Sequence, residues 1–231
     1  MVDSAPVRSA SSSAAKAEAQ GLAVEAASFP IVGIGASAGG LETFELFFHA
    51  CPADSGMAFV LVQHLNPDFE SQLAEILQRS TTMPVIFALD QMAVEADHVY
   101  IIPPNREMSI FNGVLQLSVP DQAHGRSKTI NVFLRSLAED KAEDAIGIIL
   151  SGTLSDGTIG LGAIRNAGGI CLVQEPSTAK WGEMPQSAIT AGYATNILPV
   201  EEMPSMLLKL TRQSAFPQQL PRIPRARPSV A

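Results

Sequence analysis

The chain has 231 residues, 46% of them hydrophobic, and a formal net charge of −8. That is ample for one well-packed domain and short for two, and the acidic balance argues against a general nucleic-acid surface, which needs a basic face. Two cysteines, Cys51 and Cys171, give neither metal-ligand spacing nor a disulfide framework, so no metal or cofactor is expected and a reducing cytoplasm fits.

Residues 1–28 are rich in Ala and Ser, bury too little apolar surface to offset their ordering entropy, and read as a disordered tail. Alternation then begins. Residues 29–35 form an apolar, β-branched strand, and 39–50 have helical spacing (Leu41, Phe44, Phe47, Phe48) that stops before Pro52. A second buried strand covers 57–63, a helix 70–78 with Leu73, Ile76 and Leu77 on one face, and a short strand 85–88. Three short strands, 99–102, 108–111 and 114–119, follow; the Asn112-Gly113 pair between the last two is a hairpin signal, so a small antiparallel insert is expected here.

The alternation resumes with a helix over 130–137, a buried strand over 145–150, a helix over 157–167 closed by Gly168-Gly169 and a strand over 170–174. A short helix over 185–191, a strand over 194–198 and a helix over 204–210 complete it. From 214 onward four prolines and three arginines predict an extended tail. The domain is therefore expected over 29–213, as a doubly wound α/β fold with a mainly parallel sheet and helices on both faces. No secretory signal opens the chain, and apolar runs such as 146–150 fall far short of the roughly 20 residues that span a bilayer. A soluble cytoplasmic protein without membrane insertion is the expectation.

In such sheets the ligand site lies beyond the carboxyl ends of the strands. Three of those ends carry reactive groups. The first strand runs into Gly35-Ala36-Ser37-Ala38-Gly39 and then a helix, the Gly-x-Ser-x-Gly pattern in a strand–turn–helix setting. The second runs into His64. The strand over 145–150 runs into a small polar loop that contains Asp156, which is suited either to a catalytic role or to capping the helix that follows. A Ser, a His and an Asp at three parallel strand ends suggest nucleophile, base and orienting carboxylate. Gly33-x-Gly35-x-x-Ala38 also satisfies a dinucleotide-binding spacing, but that reading wants an acidic residue after the second strand, and the chain has Gln63-His64 there. His49, His98 and His124 have bland packing or surface readings.

The motifs Ile34-Gly35-Ala36-Ser37-Ala38-Gly39-Gly40, Val62-Gln63-His64, Tyr100-Ile101-Ile102-Pro103-Pro104, Leu150-Ser151-Gly152-Thr153-Leu154-Ser155-Asp156-Gly157, Ala167-Gly168-Gly169 and Met184-Pro185-Gln186-Ser187-Ala188-Ile189 occur in this order. Over 29–210 the chain resembles the CheB-type protein-glutamate methylesterases of bacterial chemotaxis. Pro103-Pro104-Asn105-Arg106 and Ser136-Leu137-Ala138-Glu139-Asp140 look most like the esterase domain of methylesterase/methyltransferase fusions. The resemblance implies a triad of Ser37, His64 and Asp156, with backbone groups of Ala38, Gly39, Thr153 and Leu154 around the oxyanion, and Met184 and Trp181 lining the site. It also implies a methylated receptor cytoplasmic domain as partner, hydrolysis of glutamate methyl esters and deamidation of glutamine. Leu154 stands where the family usually has Gly, and Asn131 where related sequences often have Asp; residues 1–28 are too short for the receiver domain that usually precedes the esterase. An alternative is a catalytically weak partner-binding module.

Overall fold

The computed structural model describes residues 29–63, 70–120 and 128–214. The expected tails at 1–28 and 214–231 lie outside these residues, except for Ser214. The elements in chain order are β1 (Ile31–Ala36), α1 (Gly40–Ala50), β2 (Ala58–Gln63), α2 (Glu70–Gln78), β3 (Val85–Phe87), β4 (Met92–Ala93), β5 (Val99–Ile101), β6 (Glu107–Phe111) and β7 (Val114–Ser118). Then come α3 (Thr129–Lys141), β8 (Ala145–Ile149), α4 (Thr158–Asn166), β9 (Ile170–Gln174), α5 (Glu183–Thr190), β10 (Asn196–Leu198) and α6 (Met203–Ser214).

Seven strands form one sheet in the order β3-β5-β2-β1-β8-β9-β10, and all its pairs are parallel. β1, β8 and most of β2 are buried along their whole length, as strands covered on both faces must be. Alternate residues divide between two cores. Val32, Ile34, Phe59, Leu61, Ile146 and Ile148 pack with α1, α2 and α6 on one side. Ile31, Val60, Val62, Ala145 and Ile149 pack with α3, α4 and α5 on the other. Among the described residues no helix is long and apolar enough to cross a membrane.

The antiparallel sheet exists, in the order β4-β7-β6, but its membership differs from expectation. Val99–Ile101 belongs to the large sheet, parallel to β2 and β3, and its place in the insert is taken by the two-residue β4. The Asn112-Gly113 hairpin forms as expected, with φ of 50° and 73°. The insert seats Met108, Ile110 and Leu115 against α3.

α3 lies unusually close to β1. A Cβ on Gly33 would come within 2.8 Å of Leu134 and 3.0 Å of Phe133, and one on Gly35 would overlap Ile130. These two glycines therefore sit inside a strand for reasons of helix packing, whereas the dinucleotide-binding pattern needs glycines in the turn beyond it. α4 is equally close to α3. A Cβ on Gly160 would lie 2.7 Å from the Cβ of Leu134 and 3.1 Å from the backbone of Asn131. Asn131 is buried, and its Oδ1 accepts the Gly160 N–H at 2.8 Å.

At the opposite edge, where the parallel strands begin, Phe29, Pro30, Met57, Ile170, Thr211 and Arg212 line a cavity of about 300 Å³. The lead into β1 and the last turn of α6 thus meet at the sheet's amino-terminal edge.

Both cysteines are buried and unpaired. Burial pushes the Cys51 thiol up to about 12, with the charge of Asp97 adding to the effect. Burial likewise raises Cys171 to about 12, against a smaller opposing pull from Arg165. A thiol in the unfolded chain ionises near pH 8.5, about, so the folded state holds these protons more tightly. Their contribution is complete below that pH and is lost as pH rises towards 12. Unfolding midpoints measured by circular dichroism should accordingly fall above about pH 8.5, and fall less steeply in a Cys51→Ala/Cys171→Ala variant. Gly160→Ala should reduce stability by about 1–3 kcal/mol in urea unfolding, because its methyl meets backbone and Cβ atoms that have no free rotation to escape by.

Candidate active site

β1 and β2 leave the sheet's centre in one direction of winding, and β8, β9 and β10 in the other. The reversal falls between β1 and β8, so the loops beyond these strands diverge and leave a crevice. Ser37 follows β1 directly, and the loop 151–157 follows β8.

The two loops are joined at their roots. Leu150 N–H donates to Gly35 O at 2.9 Å and Ser37 N–H to Ser151 O at 3.0 Å, which continues the β1–β8 ladder one step past the strands. The Ser37 carbonyl accepts Gly40 N–H at 2.9 Å and Gln63 Nε2 at 3.2 Å. The backbone of Ser37 is thus fixed from three sides. Ser37 as a whole is half-buried. The left-handed residue of the turn is Gly39, at φ 75°, and a Cβ there would also press within 3.0 Å of Ser151 Oγ. Ser37 itself is spared that strain.

Ser151, which the sequence reading passed over, is the knot of the site. Its Oγ donates to Ala38 O at 2.9 Å and accepts Trp181 N–H at 3.1 Å. Its own N–H donates to Gln174 Oε1 at 2.8 Å. Gly152 follows, so close to Ser37 that a Cβ would lie 3.0 Å from the serine's Cβ and would overlap Met184 Sδ. Met184 is fully buried, so it supports the loop from inside. Trp181 is 45% exposed and its ring lies beside Gly39, with Cδ1 3.5 Å from where a Cβ would be; it is a rim aromatic.

Leu154 adopts φ 67° with its side chain 58% exposed. This left-handed backbone is where glycine fits without strain. The Leu154 N–H is already given to Glu183 Oε2 at 2.9 Å. Among the described residues, the N–H groups of Ala38, Gly39 and Thr153 have no protein acceptor.

Asp156 caps a helix, but not the one that follows it. Its Oδ2 accepts Ile130 N–H at 3.1 Å and its Oδ1 accepts Asn131 N–H at 3.1 Å and Gly157 N–H at 2.8 Å. It thus caps the first turn of α3, whose N-cap Lys128 makes no side-chain cap, while α4 begins at Gly157 without one. These three donors fix the carboxylate's position. Asn131 beside it supplies a neutral acceptor to α4; an aspartate there would set a second carboxylate against the first.

His64 and His124 lie outside the described residues. Gln63, one residue before His64, is in register with Ala36, one residue before Ser37. Of the remaining histidines, His49 is exposed at the end of α1. His98 Nδ1 bonds Ala96 O at 2.8 Å and stacks on Tyr100. Arg106 is exposed.

The sequence pattern of the family described as CheB methylesterase matches residues 32–207. The chain belongs to the CheB methylesterase family. A Pseudomonas aeruginosa relative named protein-glutamate methylesterase/protein-glutamine glutaminase 2 is 33% identical over 183 residues, 78% of this chain and 52% of that protein. A Leptospira interrogans relative, named as a putative enzyme of the same description, is 29% identical over 78% of this chain and 94% of its own length. An uncharacterized 104.1 kDa protein of Rhodobacter capsulatus is 38% identical over 131 residues, 57% of this chain and 14% of that protein. The chain therefore spans about half of the first of these relatives, nearly all of the second and a small part of the third. The crystal structure of the Thermotoga maritima CheB methylesterase catalytic domain superposes with a TM-score of 0.74 at 30% identity, covering 79% of this chain and 99% of that one.

In this CheB-family domain Asp156, within the loop that follows β8, holds the start of α3 in place. Asp156→Ala should lower stability by about 0.5–2 kcal/mol, the usual cost of losing a helix cap. Asp156→Asn should recover part of it, since one acceptor oxygen remains. Thermal unfolding of the two variants checks this.

Proposed function

We propose that this CheB-family domain, over 29–213, is a serine hydrolase that demethylates glutamate γ-methyl esters on cytoplasmic receptor helices and deamidates glutamine at such positions. The observation that carries the reading is the placement of Ser37 at the end of the sheet's central strand, beside the crevice, with its backbone tied to Ser151. The family's chemistry supplies the substrate class. Buried, unpaired thiols suit a cytoplasmic setting.

In this reading Ser37 Oγ attacks the ester carbonyl and His64 takes its proton. His64 follows Gln63, whose side chain already bonds the nucleophile's carbonyl, and that anchoring supports the assignment. Asp156 orients the imidazole and stabilises its charged form. The negative charge that develops on the carbonyl oxygen is met by N–H groups without a protein acceptor, those of Thr153 and of Ala38 or Gly39. Methanol leaves with the proton from His64, and water, activated by the same imidazole, cleaves the acyl-enzyme to restore Ser37 and release the glutamate carboxylate.

Ser37→Ala should retain its thermal midpoint and lose methanol release from a methylated receptor fragment by at least about 10³-fold, by analogy with other serine triads. A fluorophosphonate should label the native protein at Ser37 alone. A protein that takes no label, yet binds the receptor fragment, would instead be a docking module.

A further inference from the structure

We propose that Glu183 is a positioning residue: its carboxylate locks the strained Leu154 turn and thereby aims the Thr153 N–H at the reacting carbonyl. The inference rests on the hydrolase reading above and extends it to a residue outside the triad and the oxyanion groups.

The loop after β8 is fastened to the segment entering α5 at every second position. Gly152 N–H donates to Trp181 O at 2.9 Å, and Met184 N–H donates to Gly152 O at 3.0 Å. Leu154 N–H donates to Glu183 Oε2 at 2.9 Å. Thr153, between the two fastened residues, has an N–H with no acceptor among the described residues. The backbone on either side of it is thereby held, and a donor aimed at a developing charge is effective only if it is held before the charge appears.

The fastening at Leu154 differs in kind from that at Gly152. Gly152 is secured by two backbone bonds and by close packing on Met184 and Ser37. Leu154 has neither aid. Its side chain is 58% exposed, and φ 67° is unfavourable for a residue with a branched side chain. Relaxation of that dihedral to negative values would swing the peptide plane that joins Thr153 to Leu154 and shift the plane before it. The bond from Glu183 opposes this relaxation. Glu183 in turn is the first residue of α5, where a carboxylate is favoured by the free N–H groups of the helix start.

A double-mutant cycle on the full chain tests the inference. The readouts are kcat and KM for methanol release from a methylated receptor fragment, the rate of fluorophosphonate labelling, and hydrogen exchange at the Leu154 amide. Glu183→Ala should lower kcat about ten- to a hundredfold, the scale of a misplacement near 1 Å, leave KM nearly unchanged, and speed exchange at Leu154. Glu183→Gln, which keeps an acceptor oxygen, should recover most of kcat. In a Leu154→Gly background, where glycine holds the left-handed turn unaided, Glu183→Ala should cost less than about threefold. Equal penalties in the two backgrounds, failure of Gln to rescue, or unchanged exchange at Leu154 would each overturn the role of Glu183 while leaving the hydrolase reading intact. A native protein that neither labels nor releases methanol would overturn both.

Discussion

The bond from Ser37 N–H to Ser151 O is the constraint on which the site depends. It is a ladder rung made after both strands have formally ended, between the two central strands of a parallel sheet. Because the winding reverses between these strands, the chain beyond them would otherwise diverge at once. The rung delays that divergence by one residue and holds Ser37 against the loop that follows β8. Everything else around Ser37 reinforces the same point. Gln63 reaches across from β2 to the serine's carbonyl, and Ser151 ties the next residue, Ala38, to Trp181.

The close approach of α3 to β1 is the second element of this arrangement. Gly33 and Gly35 let the helix settle onto the strand, and the start of that helix is what Asp156 caps. Packing between helix and sheet therefore determines where this carboxylate stands relative to Ser37, two residues beyond Gly35 and the nucleophile we propose. The fold and the site share these atoms.

Much of this was legible in the sequence, for a physical reason. Strands buried on both faces read as unbroken apolar runs, and the helices between them carry apolar residues on one face, so alternation and the doubly wound class follow from local pattern. Ser37 was legible because a glycine-flanked serine between a strand and a helix is itself a local pattern. What was not legible is what depends on distant partners. Val99–Ile101 looks like its neighbours in the insert, and only pairing with β2 and β3 separates it from them. β4 is two residues long and carries no period. For Asp156 the alternative to a catalytic role is a cap on its own helix, whereas the α3 amides it caps lie 25 and 26 residues upstream in the chain. Ser151 lies within one of the motifs, but nothing local marks its side chain as the tie between two loops, and Glu183 looks like any acidic residue at a helix start.

The cavity at the far edge of the sheet bears on how such a domain combines with others. Phe29 and Arg212 both line it, so the lead into β1 and the last turn of α6 stand on the side from which the strands depart. β1 has six residues, and at about 3.3 Å each it separates that side from Ser37 by roughly 20 Å. Both ends of the described fold are thus remote from the crevice, in a family where the matching region is nearly all of one relative and a small part of another.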